Sequence, residues 1–347
     1  MAATYPEPSA AGLPQGPGPL TNPANILPVS SLLDSEIGLI RDAVRRAARL
    51  CVTSAAASQF WYEKREREPV TAADFGAQAV LLRALIAVVP DDAVLAEEAS
   101  ADLVRAGADV VAGVTTAVAA AIEGAVTREE VLGWIDHRGG GGNRVWAIDP
   151  VDGTKGLLRG EQYAIAVGLI EDGRPVFGAL GCPRLELSGM QGVLVWGGPG
   201  IGAFVESLGG GKVRPLSVSG VADPGRARIL GSVEVAHGDP ELLQRVVERV
   251  GIGGGWVRID SQAKYAAVAA GMADLYLRPR NRADWRERVW DHAAGAAIIA
   301  GSGGRVTDLD GLPLDFTTGE RLERNRGVLV SNGPLHDRVL RALAEIG

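Results

Sequence analysis

Residues 146–154 read W-A-I-D-P-V-D-G-T, so that two carboxylates and a hydroxyl follow directly on an apolar run. The pattern predicts a short buried strand over residues 145–148 that Pro150 ends, and Gly153 lets the backbone come close to a ligand. Asp149 and Asp152 offer the hard oxygen ligands that Mg²⁺ takes together with substrate phosphate. Asp-Pro and Asp-Gly pairs are also common in surface turns, so this segment alone leaves both interpretations open.

Further acidic residues stand at the ends of other predicted elements. Glu97 and Glu98 follow an apolar run, Asp74 lies within P-V-T-A-A-D, and Asp291 opens a segment of small residues. Each has an ordinary explanation: Asp74 and Thr71 fit a capping box, Asp291 fits a helix cap, and Glu98 is predicted to be a solvated neighbour of Glu97. Capping and solvation explain each residue separately, but they do not explain why four acidic sites all stand at the ends of predicted elements. The candidate metal ligands are Glu97, Asp149, Asp152 and Asp291.

Composition narrows the class of protein. The 347 residues are 46% hydrophobic and 22% charged, which is typical of a globular protein with one large or two medium domains. No uninterrupted apolar run reaches membrane-spanning length, so we expect no membrane partner. The net charge of −7 argues against binding to a nucleic acid polymer. An anionic small molecule would therefore have to be bound by metal ions and local basic residues.

The first thirty residues differ from the rest of the chain. They contain seven prolines and neither lysine nor arginine, which predicts a disordered extension over residues 1–30. Organellar transit peptides are rich in arginine, so the expected location is the cytoplasm, with organellar targeting left open. Cys51 and Cys182 are predicted to be buried thiols in a reducing compartment, although the sequence leaves a disulfide between them open.

Periodicity predicts two structural regions. Helical spacing begins at Asp34 or Ser35 and recurs over residues 73–89 and 101–123. Residues 163–170 and 175–181 form a predicted hairpin, and residues 189–205 repeat that pattern. Gly209-Gly210-Gly211 is the expected boundary between an N-terminal α+β metal-binding domain, residues 31–211, and a C-terminal α/β domain, residues 212–347, that completes the active site.

Four motifs in order carry a family resemblance: V-T-x-x-D at 70–74, E-E at 97–98, W-x-x-D-P-x-D-G-T at 146–154 and W-D-x-A-A-G at 290–295. This series resembles the inositol monophosphatase superfamily of lithium-sensitive, Mg²⁺-dependent phosphatases. Two longer segments, D-G-T-K-G-L-L-R-G-E-Q at 152–162 and D-S-Q-A-K-Y at 260–265, resemble its 3′(2′),5′-bisphosphate nucleotidase branch. The resemblance runs from about Leu32 to the C-terminus. It implies a layered α-β-α-β-α sugar-phosphatase-like fold.

The resemblance also implies roles for single residues. It implies two or three Mg²⁺ ions, and paired divalent ions stabilise both the attacking and the leaving oxygen of a phosphate ester. The implied metal ligands are Asp74, Glu97, Asp149, the Val151 carbonyl, Asp152 and Asp291. Asp74 and Thr154 would activate the water, and the N–H groups of Gly153 and Thr154 would hold phosphate. The implied substrate contacts are His237, Ser261, Lys264 and Arg278.

The implied activity is removal of the 3′-phosphate from adenosine 3′,5′-bisphosphate, with 3′-phosphoadenylyl sulfate left open as a second substrate. One alternative is an inositol monophosphate or polyphosphate 1-phosphatase, and fructose 1,6-bisphosphate is a weaker alternative. A nucleotide-binding sensor without catalysis is an alternative from another class. The sequence departs from the family pattern at Ala96, where glycine is usual, at Leu157, where phenylalanine is usual, and at Glu66 and Glu68. None of these changes removes a metal ligand.

Overall fold

A computed structural model describes residues 34–57, 61–63, 69–233, 239–280 and 285–346. The predicted extension over residues 1–30 and the predicted contact His237 lie outside these residues. None of the described helices combines the length and the apolar character that crossing a bilayer requires.

The first part of the described chain contains five helices and three short strands. These elements are α1 (Asp34–Ala57), β1 (Trp61–Glu63), β2 (Pro69–Thr71), α2 (Ala72–Val88), β3 (Ala93–Ala96), α3 (Ser100–Ala106), α4 (Ala108–Ile122) and α5 (Arg128–Ile135). The single helix predicted over residues 101–123 is wrong, because the chain forms two helices there. Gly107 separates them with φ 115°, a conformation that only glycine adopts readily.

A seven-stranded sheet follows. It consists of β3 and six later strands: β4 (Arg144–Asp152), β5 (Ala164–Glu171), β6 (Arg174–Leu187), β7 (Met190–Gly198), β8 (Gly202–Ser207) and β9 (Arg214–Leu216). The short helix α6 (Thr154–Arg159) lies between β4 and β5 along the chain. The strands lie in the order β3-β4-β5-β6-β7-β8-β9, in which only β3 and β4 are parallel. The predicted hairpin is confirmed as β5 and β6. Asp172 and Gly173 make its turn with φ 49° and 73°, the signs of a type I′ turn.

Strand β4 corrects the expectation that Pro150 ends the strand. Its pairing with β5 continues from Asp149 to Asp152, with a shift in register between these two residues. An irregularity of this kind removes the need for a ladder hydrogen bond from every residue, so the missing N–H of Pro150 is tolerated. Both carboxylates therefore stand on an extended backbone.

The C-terminal part alternates strands and helices, as the sequence predicts. It comprises β10 (Ile229–Gly231), α7 (Pro240–Val250), β11 (Trp256–Arg258), α8 (Ala263–Ala269), β12 (Leu275–Arg278), α9 (Ala293–Gly301), β13 (Arg305–Thr307), β14 (Val328–Ser331) and α10 (His336–Ile346). The five strands lie in the order β11-β10-β12-β14-β13. No sequence pattern predicted β13. The domain division near residue 211 stays a prediction.

Three hydrophobic cores show the layering. The first joins α1 and α2 to one face of the seven-stranded sheet. The second lies between the other face of that sheet, α8 and α9, and the five-stranded sheet. The third joins the five-stranded sheet to α7 and α10. The predicted α-β-α-β-α fold is therefore confirmed. Cys51 and Cys182 are confirmed as buried free thiols.

Helix α9 packs at backbone distance on the large sheet. A Cβ atom added to Gly178 would lie 2.1 Å from the Ala294 carbonyl oxygen, and one added to Gly168 would lie 2.7 Å from the Ala294 nitrogen. Only glycine allows this approach. The contact fixes the start of α9, two residues after Asp291, against the sheet that carries Asp149.

We therefore expect Gly178→Ala to lower the free energy of unfolding by about 1–3 kcal/mol, because the methyl group forces α9 away from the sheet. Gly113→Ala is the matched control, since nothing lies within 4 Å of a Cβ at that position in α4. The control should gain up to about 1 kcal/mol from helix propensity. Urea denaturation measures both, and equal stability of the two variants would contradict the close packing.

Candidate active site

Two of the predicted ligands come from neighbouring parallel strands. Ala96, the last residue of β3, pairs with Ile148 of β4. The next residues along the chain are Glu97 and Asp149, and the Glu97 N–H donates to the Ile148 carbonyl over 3.3 Å. Because parallel strands end at the same edge of a sheet, the register places these two carboxylates side by side.

Asp74 and Thr154 meet through a hydrogen bond. The Asp74 Oδ2 atom accepts from the backbone N–H and the hydroxyl of Thr71 over 2.8 and 2.6 Å. Its other oxygen, Oδ1, lies 3.1 Å from the Thr154 hydroxyl, which also lies 3.2 Å from the Val151 carbonyl oxygen. The capping-box interpretation of Asp74 is therefore correct. The same carboxylate also contacts the D-G-T turn.

Gln262 links Asp152 to the segment that carries Asp291. The Gln262 backbone N–H donates to Asp152 Oδ2 over 2.6 Å, and its side-chain Nε2 donates to the Trp290 carbonyl over 3.0 Å. The N-cap residue of α9 is His292, so the interpretation of Asp291 as a helix cap is wrong. Gln262 is buried, and its role was not predicted, although it lies within the D-S-Q-A-K-Y motif.

The predicted ligands share one electrostatic environment. Burial raises the pKa of the Asp149 carboxyl well above its usual range, and four nearby carboxylates raise it further. These carboxylates belong to Glu97, Asp152, Asp291 and Asp74. Burial also raises the pKa of Asp291, against the opposing effect of Arg278. The Oδ1 atom of Asp149 is buried and accepts no hydrogen bond within the described part of the chain. An orphaned carboxylate oxygen among other carboxylates fits a divalent cation.

Distances among the ligand atoms give a second view of the site. Within the described ranges, Glu287, Asp291 and His292 are the one group of three that brings its ligand atoms within 4.8 Å of one another. The predicted metal ligands are therefore close enough to one another to raise the pKa of Asp149. No three of these described residues bring side-chain oxygens within 4.8 Å of one another. Glu287 is also paired with Arg278 over 2.9 Å, which argues against a metal at the Glu287 group.

The comparisons with known proteins agree with this geometry. The profile of the inositol monophosphatase family matches residues 32–347. The chain belongs to this family. A 3′(2′),5′-bisphosphate nucleotidase from Oryza sativa is 37% identical over 337 residues, covering 90% of this chain and 94% of the relative. The enzyme of the same name from Schizosaccharomyces pombe is 35% identical, covering 90% and 96%.

Solved structures show the same fold. An inositol monophosphatase (IMPase) from Thermotoga maritima superposes with a TM-score of 0.64 at 21% identity, covering 90% of this chain and 98% of that one. An inositol monophosphatase from Anabaena gives a TM-score of 0.60 at 22% identity, covering 90% and 96%. Inositol monophosphatase family members depend on a metal, generally Mg²⁺. The orphaned oxygen of Asp149 and the carboxylates around it fit such an ion.

The family's D-S-Q-A-K-Y segment lies against the turn at residues 152–154. Ser261 has φ +64°, and its Cβ lies 3.1 Å from where a Cβ on Gly153 would stand. Lys264 is buried, with its ammonium nitrogen 5.2 Å from the centre of the Tyr276 ring. Its ammonium group makes no hydrogen bond or ion pair with any other described residue, whereas its backbone N–H donates to the Ser261 carbonyl over 3.2 Å. Burial, assisted by the charge of Arg278, lowers the pKa of Lys264 to about 8.

Arg278 contacts the carboxylates of Glu287 and Asp291. Its Nε atom pairs with Glu287 over 2.9 Å, and its Nη2 atom lies 3.4 Å from Asp291. Burial alone would raise the pKa of the Glu287 carboxyl, but Arg278 and then His292 bring it down to about 2. Glu287 was not predicted as part of the site. The available signal is its position four residues before Asp291 in E-R-V-W-D.

Glu98 differs from its prediction as a solvated residue. It is 1% exposed, and its backbone is held by Gln78, whose amide exchanges hydrogen bonds with the Glu98 N–H and carbonyl over 2.9 and 2.7 Å. The two consecutive glutamates therefore differ in environment. Glu97 is the more accessible of the two.

Proposed function

We propose that this chain is a Mg²⁺-dependent 3′(2′),5′-bisphosphate nucleotidase that removes the 3′-phosphate of adenosine 3′,5′-bisphosphate. The observation that carries the proposal is the hydrogen bond from the Gln262 N–H to Asp152. It brings Ser261, which precedes α8, and Lys264, which lies in its first turn, next to the carboxylates. The nucleotidase names of the relatives support the same substrate class.

The proposed metal ligands are Asp74, Glu97, Asp149, the Val151 carbonyl, Asp152 and Asp291, for two or three ions. Bound Mg²⁺ would supply Lewis-acid charge for the phosphoryl oxygens and lower the pKa of a coordinated water. Asp74 accepts from Thr154 over 3.1 Å, and this pair would orient the attacking water and take its proton. The Gly153 and Thr154 N–H groups would hold the scissile phosphate.

The remaining substrate contacts are proposed for the second phosphate and the nucleoside. Lys264 presents a buried ammonium group that forms no ion pair with the residues that the structure describes, which suits an anionic group from outside. Ser261 lies against Gly153 of the D-G-T turn. Arg278 would add a second cation. The contact of His237 with the base stays a prediction.

Phosphate release from a substrate panel tests this proposal. Purified full-length protein with Mg²⁺ should hydrolyse adenosine 3′,5′-bisphosphate with a higher kcat/KM than inositol 1-phosphate or fructose 1,6-bisphosphate. Comparable release from 3′-phosphoadenylyl sulfate would extend the range to the sulfated nucleotide. Efficient hydrolysis of inositol phosphates without release from the bisphosphate would assign the chain to the inositol phosphatases instead.

Lys264 provides a prediction on specificity and pH. Lys264→Ala should raise KM for adenosine 3′,5′-bisphosphate about tenfold or more, and raise KM for adenosine 3′-monophosphate less, because the lost charge faces the second phosphate. The pKa near 8 means that the ammonium group loses its proton as pH rises through 8. The wild-type kcat/KM for the bisphosphate should therefore fall above that pH.

Two variants complete the test. Lys264→Arg keeps its charge at high pH and should remove the fall, whereas Lys212→Ala, at an exposed position in a glycine-rich segment, should leave KM unchanged. Equal increases in KM for both nucleotides would place Lys264 away from the second phosphate.

A further inference from the structure

We propose that Glu287 is a positioning residue that keeps the Arg278 guanidinium group off Asp291, so that Asp291 stays available to a divalent cation. This role rests on the metal-dependent hydrolysis proposed above. Arg278 contacts two carboxylates, and the two contacts differ in length. Its Nε lies 2.9 Å from Glu287, whereas its Nη2 lies 3.4 Å from Asp291. Hydrogen bonds between charged N–H and O⁻ groups are usually about 2.7–2.9 Å long, so the strong contact is with Glu287.

The Glu287 carboxylate is in turn held by a buried histidine. Its side chain is 4% exposed, and its Oε2 lies 3.3 Å from Nε2 of the fully buried His292. A carboxylate accepts hydrogen bonds, so the imidazole hydrogen belongs on Nε2. His292 Nδ1 then accepts from the Tyr265 hydroxyl, which lies 2.7 Å away. This chain of buried contacts holds Glu287 in place, and Glu287 holds Arg278.

Removing the Glu287 charge changes the balance between the two carboxylates. In Glu287→Gln the guanidinium group no longer has an anionic partner on that side, while Asp291 remains within 3.4 Å. Arginine binds a carboxylate best through two parallel hydrogen bonds, and a small shift would bring Arg278 to Asp291 in this way. Such a pair would occupy the oxygens that a cation needs. Cation affinity should therefore fall in this variant.

A simpler role for Glu287 predicts a different pattern. A negative charge near the site attracts any cation directly, and this attraction does not require Arg278. The positioning role acts only through Arg278. A double-mutant cycle separates the two, because the effect of Glu287→Gln should disappear when Arg278 is already absent.

The experiment measures Mn²⁺ binding to the full-length protein without substrate, from the electron paramagnetic resonance signal of free Mn²⁺. Glu287→Gln should weaken binding about 10–100-fold, the usual effect of losing a partner that orients a metal ligand. Arg278→Met should bind at least as tightly as the wild type. The double variant should lie within about threefold of Arg278→Met.

Glu323→Gln is the matched control, because Glu323 pairs with Arg286 on the surface over 3.6 Å and is 52% exposed. It should bind Mn²⁺ like the wild type. Equal weakening by Glu287→Gln in both backgrounds, or no weakening in either, would overturn the positioning role. Absence of Mn²⁺ binding by the wild type would overturn the metal site together with it. Coupling between the residues without hydrolysis of the bisphosphate would overturn only the substrate assignment.

Discussion

Asp149→Asn should lower kcat for phosphate release by a factor on the order of 10³ or more while leaving the thermal midpoint of the cation-free protein unchanged or higher. The loss follows because an amide is a poor ligand for Mg²⁺, and metal stabilisation of the phosphoryl oxygens contributes several kcal/mol, each 1.36 kcal/mol being about tenfold in rate. The gain in stability follows from the raised pKa of Asp149. A group whose pKa is higher in the folded state than in the unfolded state destabilises the fold above that unfolded pKa, so neutralising it helps at pH 7.

Activity at saturating Mg²⁺ and melting in chelator measure the two effects. Asp310→Asn is a suitable control, because Asp310 is an exposed partner of Arg326 at 3.0 Å, and it should change neither quantity much. A near-normal rate for Asp149→Asn at saturating Mg²⁺ would contradict the assignment of this carboxylate to the metal.

Asp74→Asn should abolish most turnover, by about 10²–10⁴-fold, with nucleotide binding retained. The Asp74 side chain accepts from Thr71 through one oxygen and from Thr154 through the other. An asparagine has only one acceptor oxygen, so its amide nitrogen would face a donor on one side. The proposed water-activating pair with Thr154 would then be lost. A nucleotide-binding sensor would instead show no turnover in the wild type.

The chain contains its own control for the structural part of this effect. Thr127 and Glu130 form a second capping box, in which the Glu130 Oε2 accepts from the Thr127 N–H and hydroxyl over 2.7 and 2.9 Å. Glu130 is exposed on α5, so Glu130→Gln weakens a cap without touching the carboxylates. Its kcat should stay within about twofold of the wild type. If both variants lose activity to the same extent, the loss reports helix capping and not catalysis.

The sequence alone predicted the features that depend on residues close together along the chain. The hairpin at Asp172-Gly173 and the alternating C-terminal elements are local patterns, and the structure confirms them. Pro150 and Gly107 show where local rules fail. Pro150 is accommodated by an irregular register with β5, which is a property of the partner strand. Gly107 is a helix breaker that the apolar composition of residues 101–123 concealed.

The candidate site shows a related limit. The predicted carboxylates could be chosen because each lies in a short motif at the end of an element. The contacts of Gln262 with Asp152 and Trp290 join residues 110 and 28 positions apart, and no pattern along the chain specifies them. Glu98 was expected in solvent because acidic residues are usually exposed. The amide of Gln78, twenty residues earlier, explains why its backbone is held inside.

If Asp149 and Asp291 bind the same divalent ion, as proposed, their placement would couple the concentration of that ion to folding. Asp149 belongs to the large sheet and Asp291 to the segment before α9, so an ion bound by both would add a cross-link between two layers that also meet through apolar contacts and the Gln262–Asp152 hydrogen bond. An ion that binds only the native chain adds about 2.7 kcal/mol to its stability at one hundred times its dissociation constant. The divalent ion supply would then govern how much of the protein resists unfolding and proteolysis, as well as how fast it turns over substrate.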